Sequence, residues 1–177
     1  SSGTDPIAGL GVKLTIDRDV QYVAQAAIAA QVKAAKADSG TVVVMNPKTG
    51  QIYALATVPT FDPNKPSESA ASDLNNRAVS AVFEPGSTSK VMTMAAAIEE
   101  GAVTPLTKIV VPPVLETKYK TFHDDVAHGT WHLTLAGVLA KSSNIGTILT
   151  AQKIGEDKLY SYLKKFGIGE PTGLHFP

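Results

Sequence analysis

The feature that most constrains the fold is a pair of apolar runs separated by only five residues. Residues 41–45 form a β-branched run, residues 51–58 form a second apolar run, and residues 46–50 between them (NPKTG) are turn formers. Parallel strands need a much longer crossover connection, so the two runs predict an antiparallel hairpin. Residues 13–16 alternate between polar and apolar side chains and predict a further short strand.

Helical signals lie on both sides of this hairpin. Asp17 can cap a helix over residues 18–37, in which apolar side chains recur on one stripe. Residues 59–76 and 102–132 each contain several prolines and are predicted to be irregular. Further helices are predicted over residues 87–100, 134–140, 145–153 and 158–166. A helix, a hairpin and then several helices indicate the α+β class.

Composition excludes several classes of function. The chain of 177 residues is 44% apolar and 18% charged, which is globular, and its 16 basic and 16 acidic side chains cancel. A neutral chain without a basic run has no field to attract nucleic acid, so no nucleic-acid partner is expected. The absence of cysteine excludes disulfides and thiolate metal sites. No apolar run approaches the roughly 18–20 residues that span a bilayer, and the printed N-terminus lacks the regions of a secretion signal.

The pattern Ser-x-x-Lys at Ser87 and Lys90 is the first candidate for chemistry. A serine hydroxyl is a poor nucleophile and needs a nearby base, and residues three apart on a helix lie on the same face. Burial or a neighbouring cation can lower the pKa of a lysine until it acts as that base. The pattern is short enough to arise by chance, and a second copy begins at Ser161 inside an amphipathic helix. Ser87 differs because a Pro-Gly pair precedes it and places it at a helix start, where an ordinary capping serine is the alternative.

The second candidate is Ser142-Ser143-Asn144, which separates two short predicted helices. A bent backbone at this point can aim Ser142 and Asn144 into one cleft. Ser142 could relay a proton to a leaving amine, and Asn144 could hydrogen-bond both Lys90 and a substrate amide. The alternative is a polar cap for the following helix.

Together the two motifs resemble those of the class B penicillin-binding proteins. Residues 84–90 (EPGSTSK) are similar to the active-site segment of that family, and residues 141–146 (KSSNIG) are similar to its second motif. Similar segments recur in the same order along nearly the whole chain, at residues 14–17 (LTID), 46–52 (NPKTGQI), 61–64 (FDPN), 76–79 (NRAV) and 166–169 (FGIG). The chain most resembles the cell-division and elongation members.

The resemblance implies a fold and a reaction. The fold would be β-lactamase/transpeptidase-like, with a helical subdomain against an antiparallel sheet, over residues 1–177 after a linker at residues 1–11. Ser87 would attack the penultimate D-Ala of a peptidoglycan stem peptide while Lys90 accepts its proton. D-Ala would leave, protonated through Ser142 and Lys90, and an amine of a neighbouring stem would complete the cross-link. β-Lactam antibiotics would acylate Ser87 and stay bound, and no metal or cofactor is needed.

The resemblance also implies partners and a location. Full-length members are anchored by one N-terminal membrane helix and act at the extracytoplasmic face of the bacterial cell membrane. They work with a glycan polymerase of the SEDS type and with other division or elongation proteins.

The third motif of the family, Lys-Thr-Gly or Lys-Ser-Gly on a strand lining the cleft, is not found after Asn144. Lys48-Thr49-Gly50 has the same letters, but it precedes the nucleophile and lies in the predicted hairpin turn. We therefore expect an incomplete transpeptidase domain that is inactive alone.

Three histidines, His123, His128 and His132, lie close to Asp124 and Asp125 in the sequence. Imidazole and carboxylate groups can bind zinc, but a glycine separates the only pair with helical i, i+4 spacing. The pattern favours an ordinary polar loop over a metal site. The part near His123 and Asp124 resembles a family segment close to the cleft, which implies a structural role for it.

Two rival functions remain open from the sequence. A serine β-lactamase would use the same serine and lysine but needs a deacylating base, and no residue is identified for that role. A non-catalytic β-lactam sensor or scaffold would keep the fold without the cross-linking reaction.

Overall fold

The computed structural model describes residues 9 and 11–174 and divides them between two units. The first unit runs to Val82 and includes Leu174, and the second is Phe83–Gly173. The linker expected over residues 1–11 lies, apart from Gly9 and Gly11, outside the described residues. Within the described ranges, no helix has both the length and the apolar character needed to span a membrane. Each unit combines helices with antiparallel strands, which confirms the α+β class.

The first unit begins with the long helix α1 (Arg18–Ala35). The carboxylate of Asp17 accepts the backbone N–H groups of Asp19 and Val20, both at 3.0 Å, so the predicted N-cap is confirmed. The helix ends two residues before its predicted end, because Lys36 adopts a left-handed φ of 52°.

The predicted hairpin is confirmed as β1 (Gly40–Met45) and β2 (Ile52–Val58), which pair antiparallel. Helix α1 packs on the hairpin through small and β-branched side chains, and one of its side-chain amides also bonds to the backbone of β2. The side chain of Gln21 accepts the N–H of Leu55 at 2.7 Å and donates to its carbonyl at 3.3 Å. The buried core of this unit consists of Ala24, Ala54 and Ala56.

The strand predicted over residues 13–16 is wrong. The segment makes isolated hydrogen bonds instead of a ladder: the Thr15 hydroxyl donates to the Ile52 carbonyl at 2.6 Å, and the Asp17 N–H donates to the Tyr53 carbonyl at 2.9 Å. The chain enters α1 directly after this segment, with Asp17 as the N-cap.

The connection after β2 is largely irregular, as predicted, but contains short helical pieces. Two 3-10 turns, Pro66–Glu68 and Ala71–Asp73, precede the four-residue helix α2 (Arg77–Ser80). The side chain of Asn76 caps α2 by accepting the N–H of Ala78 at 3.1 Å.

The second unit contains the four helices predicted after residue 86, with ends shifted by at most three residues. They are α3 (Lys90–Glu99), α4 (Leu135–Ala140), α5 (Asn144–Gln152) and α6 (Glu156–Lys165). Ser87 itself lies in a 3-10 turn, Gly86–Ser89, just before α3.

Residues 102–132 are more regular than predicted. Strand β3 (Lys108–Val111) pairs antiparallel with β6 (Trp131–Thr134), and β4 (Leu115–Glu116) pairs antiparallel with β5 (Thr121–Phe122). Strands of two to four residues have no room for a periodic pattern, so their pairing is set by the surrounding core.

One apolar core joins α3, α4 and α5 to β3. Its buried members are Met94, Ala97, Val103, Ile109, Val111, Leu135, Val138 and Ile145. Since interiors pack at crystal-like density, this core fixes the start of α3 against the turn that joins α4 to α5. The candidate residues of both sequence motifs lie at these two points.

Candidate active site

Ser87 lies on the 3-10 turn that leads into α3. Gly86 before it has a φ of +60°, a left-handed conformation that glycine adopts without steric cost. Ser87 is exposed, whereas Lys90 at the first position of α3 is buried, with 8% of its surface accessible. The turn therefore presents a hydroxyl to solvent directly beside a desolvated amine.

A chain of hydrogen bonds links Lys90 to Ser87 through Ser142. The Lys90 ammonium donates to the Ser142 hydroxyl at 3.1 Å and also contacts the Ser142 carbonyl oxygen. The Ser142 hydroxyl donates to the Ser87 hydroxyl oxygen at 2.9 Å. The described residues contain no direct hydrogen bond between Lys90 and Ser87, so Ser142 connects the two side chains.

The backbone of Ser142 explains how its hydroxyl reaches between the two. Its φ is +53°, in the left-handed region that L-residues rarely occupy. The Ser142 N–H donates to the Leu139 carbonyl at 2.9 Å, and the Ser143 N–H donates to the Val138 carbonyl at 3.0 Å. These two bonds form a Schellman motif at the end of α4, with serine at the position that is usually glycine.

Ser143 turns the chain directly into the next helix. It is fully buried, and its hydroxyl caps α5 by accepting the Gly146 N–H at 2.8 Å. The hypothesis of a capping serine is therefore correct for Ser143, while Ser142 beside it faces Ser87. One turn thus ends α4, starts α5 and aims a hydroxyl into the cleft.

Asn144 lines the same cleft, but it does not contact Lys90. Its side-chain amide donates to the His123 carbonyl at 3.1 Å. The proposed hydrogen bond between Asn144 and Lys90 is not present, because the Lys90 ammonium donates to Ser142 instead. The four residues Ser87, Lys90, Ser142 and Asn144 nevertheless share one cleft, as the two motifs predicted.

The segment near His123 and Asp124 was expected to have a structural role close to the cleft, but the contacts of Asp124 were not predicted. Only 3% of this side chain is exposed, and it accepts hydrogen bonds from the Ile145 N–H at 3.0 Å, the Ser143 hydroxyl at 2.7 Å and the His128 ring at 3.0 Å. Burial alone would raise the pKa of this carboxyl, but the donors together outweigh burial and hold that pKa below its usual range. The signal was the His-Asp pair at residues 123–124, whose partners could not be read from local spacing.

The amine of Lys90 experiences two opposing influences. Burial lowers its pKa below the ordinary lysine value, while the negative charges of Asp124 and Asp125 act in the opposite direction. Burial is the larger effect, so the net pKa is lowered. A lowered pKa increases the fraction of neutral amine that can accept a proton.

The cleft has a volume of about 370 Å³. One side of it is the Trp131 indole, on which the His128 ring stacks with a centroid separation of 3.5 Å. Its lining residues are Ser87, Lys90, Asp124, Asp125, Val126, Trp131, Lys141, Ser142 and Asn144. Among the residues that the structure describes, no three His, Cys, Asp or Glu side chains are arranged to hold a metal ion.

The second Ser-x-x-Lys pattern and the Lys-Thr-Gly run are not among the residues that line the cleft. Ser161 is exposed on α6, and Lys164 pairs with Glu170. Residues 48–50 form the hairpin turn, in which the Asn46 side chain accepts the Lys48 N–H at 2.9 Å. The turn interpretation of this Lys-Thr-Gly run is confirmed.

Comparison with known proteins supports the resemblance. The family model described as "Penicillin binding protein transpeptidase domain" matches residues 40–177. PbpB of Mycolicibacterium smegmatis is 38% identical over 174 residues, which is 98% of this chain and 27% of that protein. The peptidoglycan D,D-transpeptidase FtsI of Escherichia coli is 34% identical over 173 residues, which is 98% of this chain and 29% of that protein.

Solved structures agree with these relatives. The ampicillin complex of penicillin-binding protein 3 from Mycobacterium tuberculosis superposes with a TM-score of 0.92 at 36% identity, covering 100% of this chain and 39% of that one. The aztreonam complex of the same protein gives a TM-score of 0.88 at 37% identity, over 93% and 37% of the two chains.

The fold and these matches define a transpeptidase-type domain. The chain belongs to the penicillin-binding protein transpeptidase family, and its resemblance to the class B members is confirmed. It spans only about a quarter of the length of the PbpB proteins that it matches, at 27% and 25%.

Proposed function

We propose that the protein containing this chain is a peptidoglycan D,D-transpeptidase that forms an acyl-enzyme on Ser87. The observation that carries the proposal is the hydrogen-bond chain from Lys90 through Ser142 to Ser87 in an open cleft. The name of the Escherichia coli relative, peptidoglycan D,D-transpeptidase, supports the same reaction.

In the first step, the Ser87 oxygen attacks the carbonyl carbon of the penultimate D-Ala of a stem peptide. With Lys90 neutral, the two hydrogen bonds of the chain reverse direction, so that the Ser87 proton moves to the Ser142 oxygen and the Ser142 proton moves to the amine of Lys90. Ser142 relays this proton because its oxygen lies 2.9 Å from Ser87 and 3.1 Å from Lys90. The lowered pKa of Lys90 provides the neutral amine.

In the second step, the tetrahedral intermediate expels the terminal D-Ala. The leaving nitrogen takes a proton from Ser142, which is replenished from the Lys90 ammonium. An amine from a neighbouring stem then attacks the ester carbonyl and gives its proton to Lys90 through Ser142. The bond between the carbonyl carbon and the Ser87 oxygen breaks, and Ser87 regains its proton along the same route. Asn144 uses one amide N–H on the His123 carbonyl, which leaves its oxygen and second N–H for the substrate backbone.

β-Lactams should follow the first step and remain attached to Ser87. The two complexes of penicillin-binding protein 3 carry ampicillin and aztreonam, which supports this expectation for a family member. One acidic group in the lining of the cleft, Asp124, is already occupied by hydrogen bonds and is poorly placed to activate water.

The chemistry also suggests where the full-length protein acts. Its proposed substrate is assembled into the wall outside the cell, so the domain would face the extracytoplasmic side of the membrane. Anchoring by a membrane helix and cooperation with a SEDS-type polymerase and with division or elongation proteins belong to this proposal.

The test uses the full-length protein and a fluorescent penicillin. Ser87→Ala should abolish covalent labelling, because it removes the attacking oxygen. Ser89→Ala and Ser161→Ala are the matched controls: one removes a neighbouring hydroxyl that bonds the Gly86 carbonyl, and the other removes the serine of the second Ser-x-x-Lys pattern. Both should label normally, and undiminished labelling of Ser87→Ala would refute the assignment.

The same labelled protein separates the rival functions. A transpeptidase or a sensor should keep the label for many minutes, whereas a β-lactamase should lose it rapidly and turn over. Cross-linking of stem peptides by the full-length protein then separates a transpeptidase from a sensor or scaffold.

A further inference from the structure

Asp124 is the most heavily bonded side chain near the cleft, although it does not contact Ser87 or Lys90 through a hydrogen bond. It lies in the connection between β5 and β6, and its carboxylate is almost completely buried. Its first oxygen accepts the Ile145 N–H at 3.0 Å, and its second accepts the Ser143 hydroxyl at 2.7 Å and the His128 ring at 3.0 Å.

Two hydrogen-bond donors at the start of α5 lie on either side of Asn144, which lines the cleft. Ser143 and Ile145 both bond to Asp124, and Asn144 between them bonds to the His123 carbonyl at 3.1 Å. Three consecutive residues are therefore tied to the same two-residue segment.

This arrangement stabilises an unfavourable backbone conformation. The residue just before these three, Ser142, holds a left-handed φ of +53°, which is rare for any residue except glycine. Such conformations persist only where the surrounding structure over-determines them. The hydrogen bonds that Asp124 accepts supply that constraint where the turn enters α5.

We propose that Asp124 is a positioning residue, which holds the 142–144 turn so that the Ser142 hydroxyl lies between Ser87 and Lys90. This inference rests on the proposed function of that relay. A carboxylate is required because three donors converge on two oxygens, whereas an amide has only one acceptor oxygen. The carboxylate also fixes His128, whose ring stacks on the Trp131 wall of the cleft.

The test is the rate of acylation of the full-length protein by fluorescent penicillin, measured against penicillin concentration and pH. Asp124→Asn should lower the maximal acylation rate roughly 10- to 100-fold, because small displacements of catalytic groups cost about that much. Its half-saturating penicillin concentration should change little, because the Asp124 oxygens are occupied by donors of the protein itself. Its melting temperature should show that the protein remains folded.

Asp125→Asn is the charge-matched comparison. Asp125 also acts on Lys90 through its charge, but it makes no hydrogen bond to the turn within the described residues. We expect its main effect to be a shift of the pH–rate profile, with a smaller fall in the maximal rate than for Asp124→Asn. Equal falls in both variants would overturn the proposal, since charge alone would then explain them.

A second variant keeps the test decisive if Asp124→Asn fails to fold. Ser143→Ala removes one donor to the carboxylate and should lower the maximal rate several-fold, and an unchanged rate would overturn the proposal. Wild-type protein that takes up no label would instead contradict the proposed function itself, so the two failures are distinguishable.

Discussion

Two glycines occupy equivalent positions in consecutive helices and differ only in the space beside them. Gly137 in α4 and Gly146 in α5 are both third helical residues, and each donates its N–H to the hydroxyl of its capping residue, at 3.1 and 2.8 Å respectively. A Cβ on Gly137 would meet its nearest neighbour at 3.4 Å, an ordinary contact. A Cβ on Gly146 would meet both methyl carbons of Val138, at 2.7 and 2.8 Å.

The expected cost of Gly146→Ala follows from these distances. Val138 is fully buried and β-branched, so rotation of its side chain cannot withdraw both methyl groups. Overpacking of this kind costs about 1–3 kcal/mol, and replacing a helical glycine by alanine returns about 0.5–1 kcal/mol. We therefore expect Gly146→Ala to destabilise α5 by about 1–2 kcal/mol and Gly137→Ala to leave α4 unchanged or slightly more stable.

Hydrogen exchange of the full-length protein, followed by mass spectrometry, measures the effect locally. A loss of about 1–2 kcal/mol corresponds to exchange that is roughly 5- to 30-fold faster in peptides from α5. Penicillin acylation should slow in the same variant, because α5 begins at the Ser143–Asn144 turn. Val138→Ala in the Gly146→Ala background should restore part of the protection by removing the clash. Equal protection of α5 in the two single variants would refute the packing argument.

Two further predictions concern the lysine and the core. The acylation rate should rise with pH through the pKa of Lys90, because only the neutral amine accepts a proton. Burial places the midpoint of this rise below the ordinary lysine pKa of 10.5. Asp125→Asn should lower the midpoint further, because it removes a negative charge that favours the ammonium. A stopped-flow pH profile with a midpoint at or above 10.5 would contradict this assignment. Ile145 is fully buried, so Ile145→Ala should lower the free energy of unfolding, measured by urea denaturation, by about 2–5 kcal/mol. Ile168 is 47% exposed, so Ile168→Ala should lower it much less. Similar decreases in the two variants would argue against the described core.

The sequence predicted those elements whose signals are local. The hairpin was readable because its turn chemistry stands between two apolar runs, and α1 was readable because Asp17 caps it. The helices of the second unit were also predicted from local patterns, with errors of at most three residues at their ends. The strands between residues 108 and 134 were missed because each has only two to four residues.

The sequence predicted the four motif residues of the site, but it did not predict the hydrogen bonds between them. Ser-x-x-Lys spacing predicted that Ser87 and Lys90 lie on the same face. It could not predict that the hydroxyl of Ser142 lies between them, because that arrangement depends on a left-handed turn that serine seldom adopts. The partners of Asp124 were not predicted because Ser143 and Ile145 are 19 and 21 residues away in the sequence. Long-range partners of a single carboxylate leave no periodic trace.

The left-handed backbone at Ser142 narrows the choice of amino acid at that position. Glycine, asparagine and aspartate tolerate such a φ but lack an aliphatic hydroxyl, and threonine has the hydroxyl but its β-branch is strongly disfavoured there. Serine is the residue type that supplies an aliphatic hydroxyl and also adopts the left-handed φ at modest cost. Resistance to inhibitors that acylate Ser87 should therefore arise by substitutions around position 142 more readily than at it.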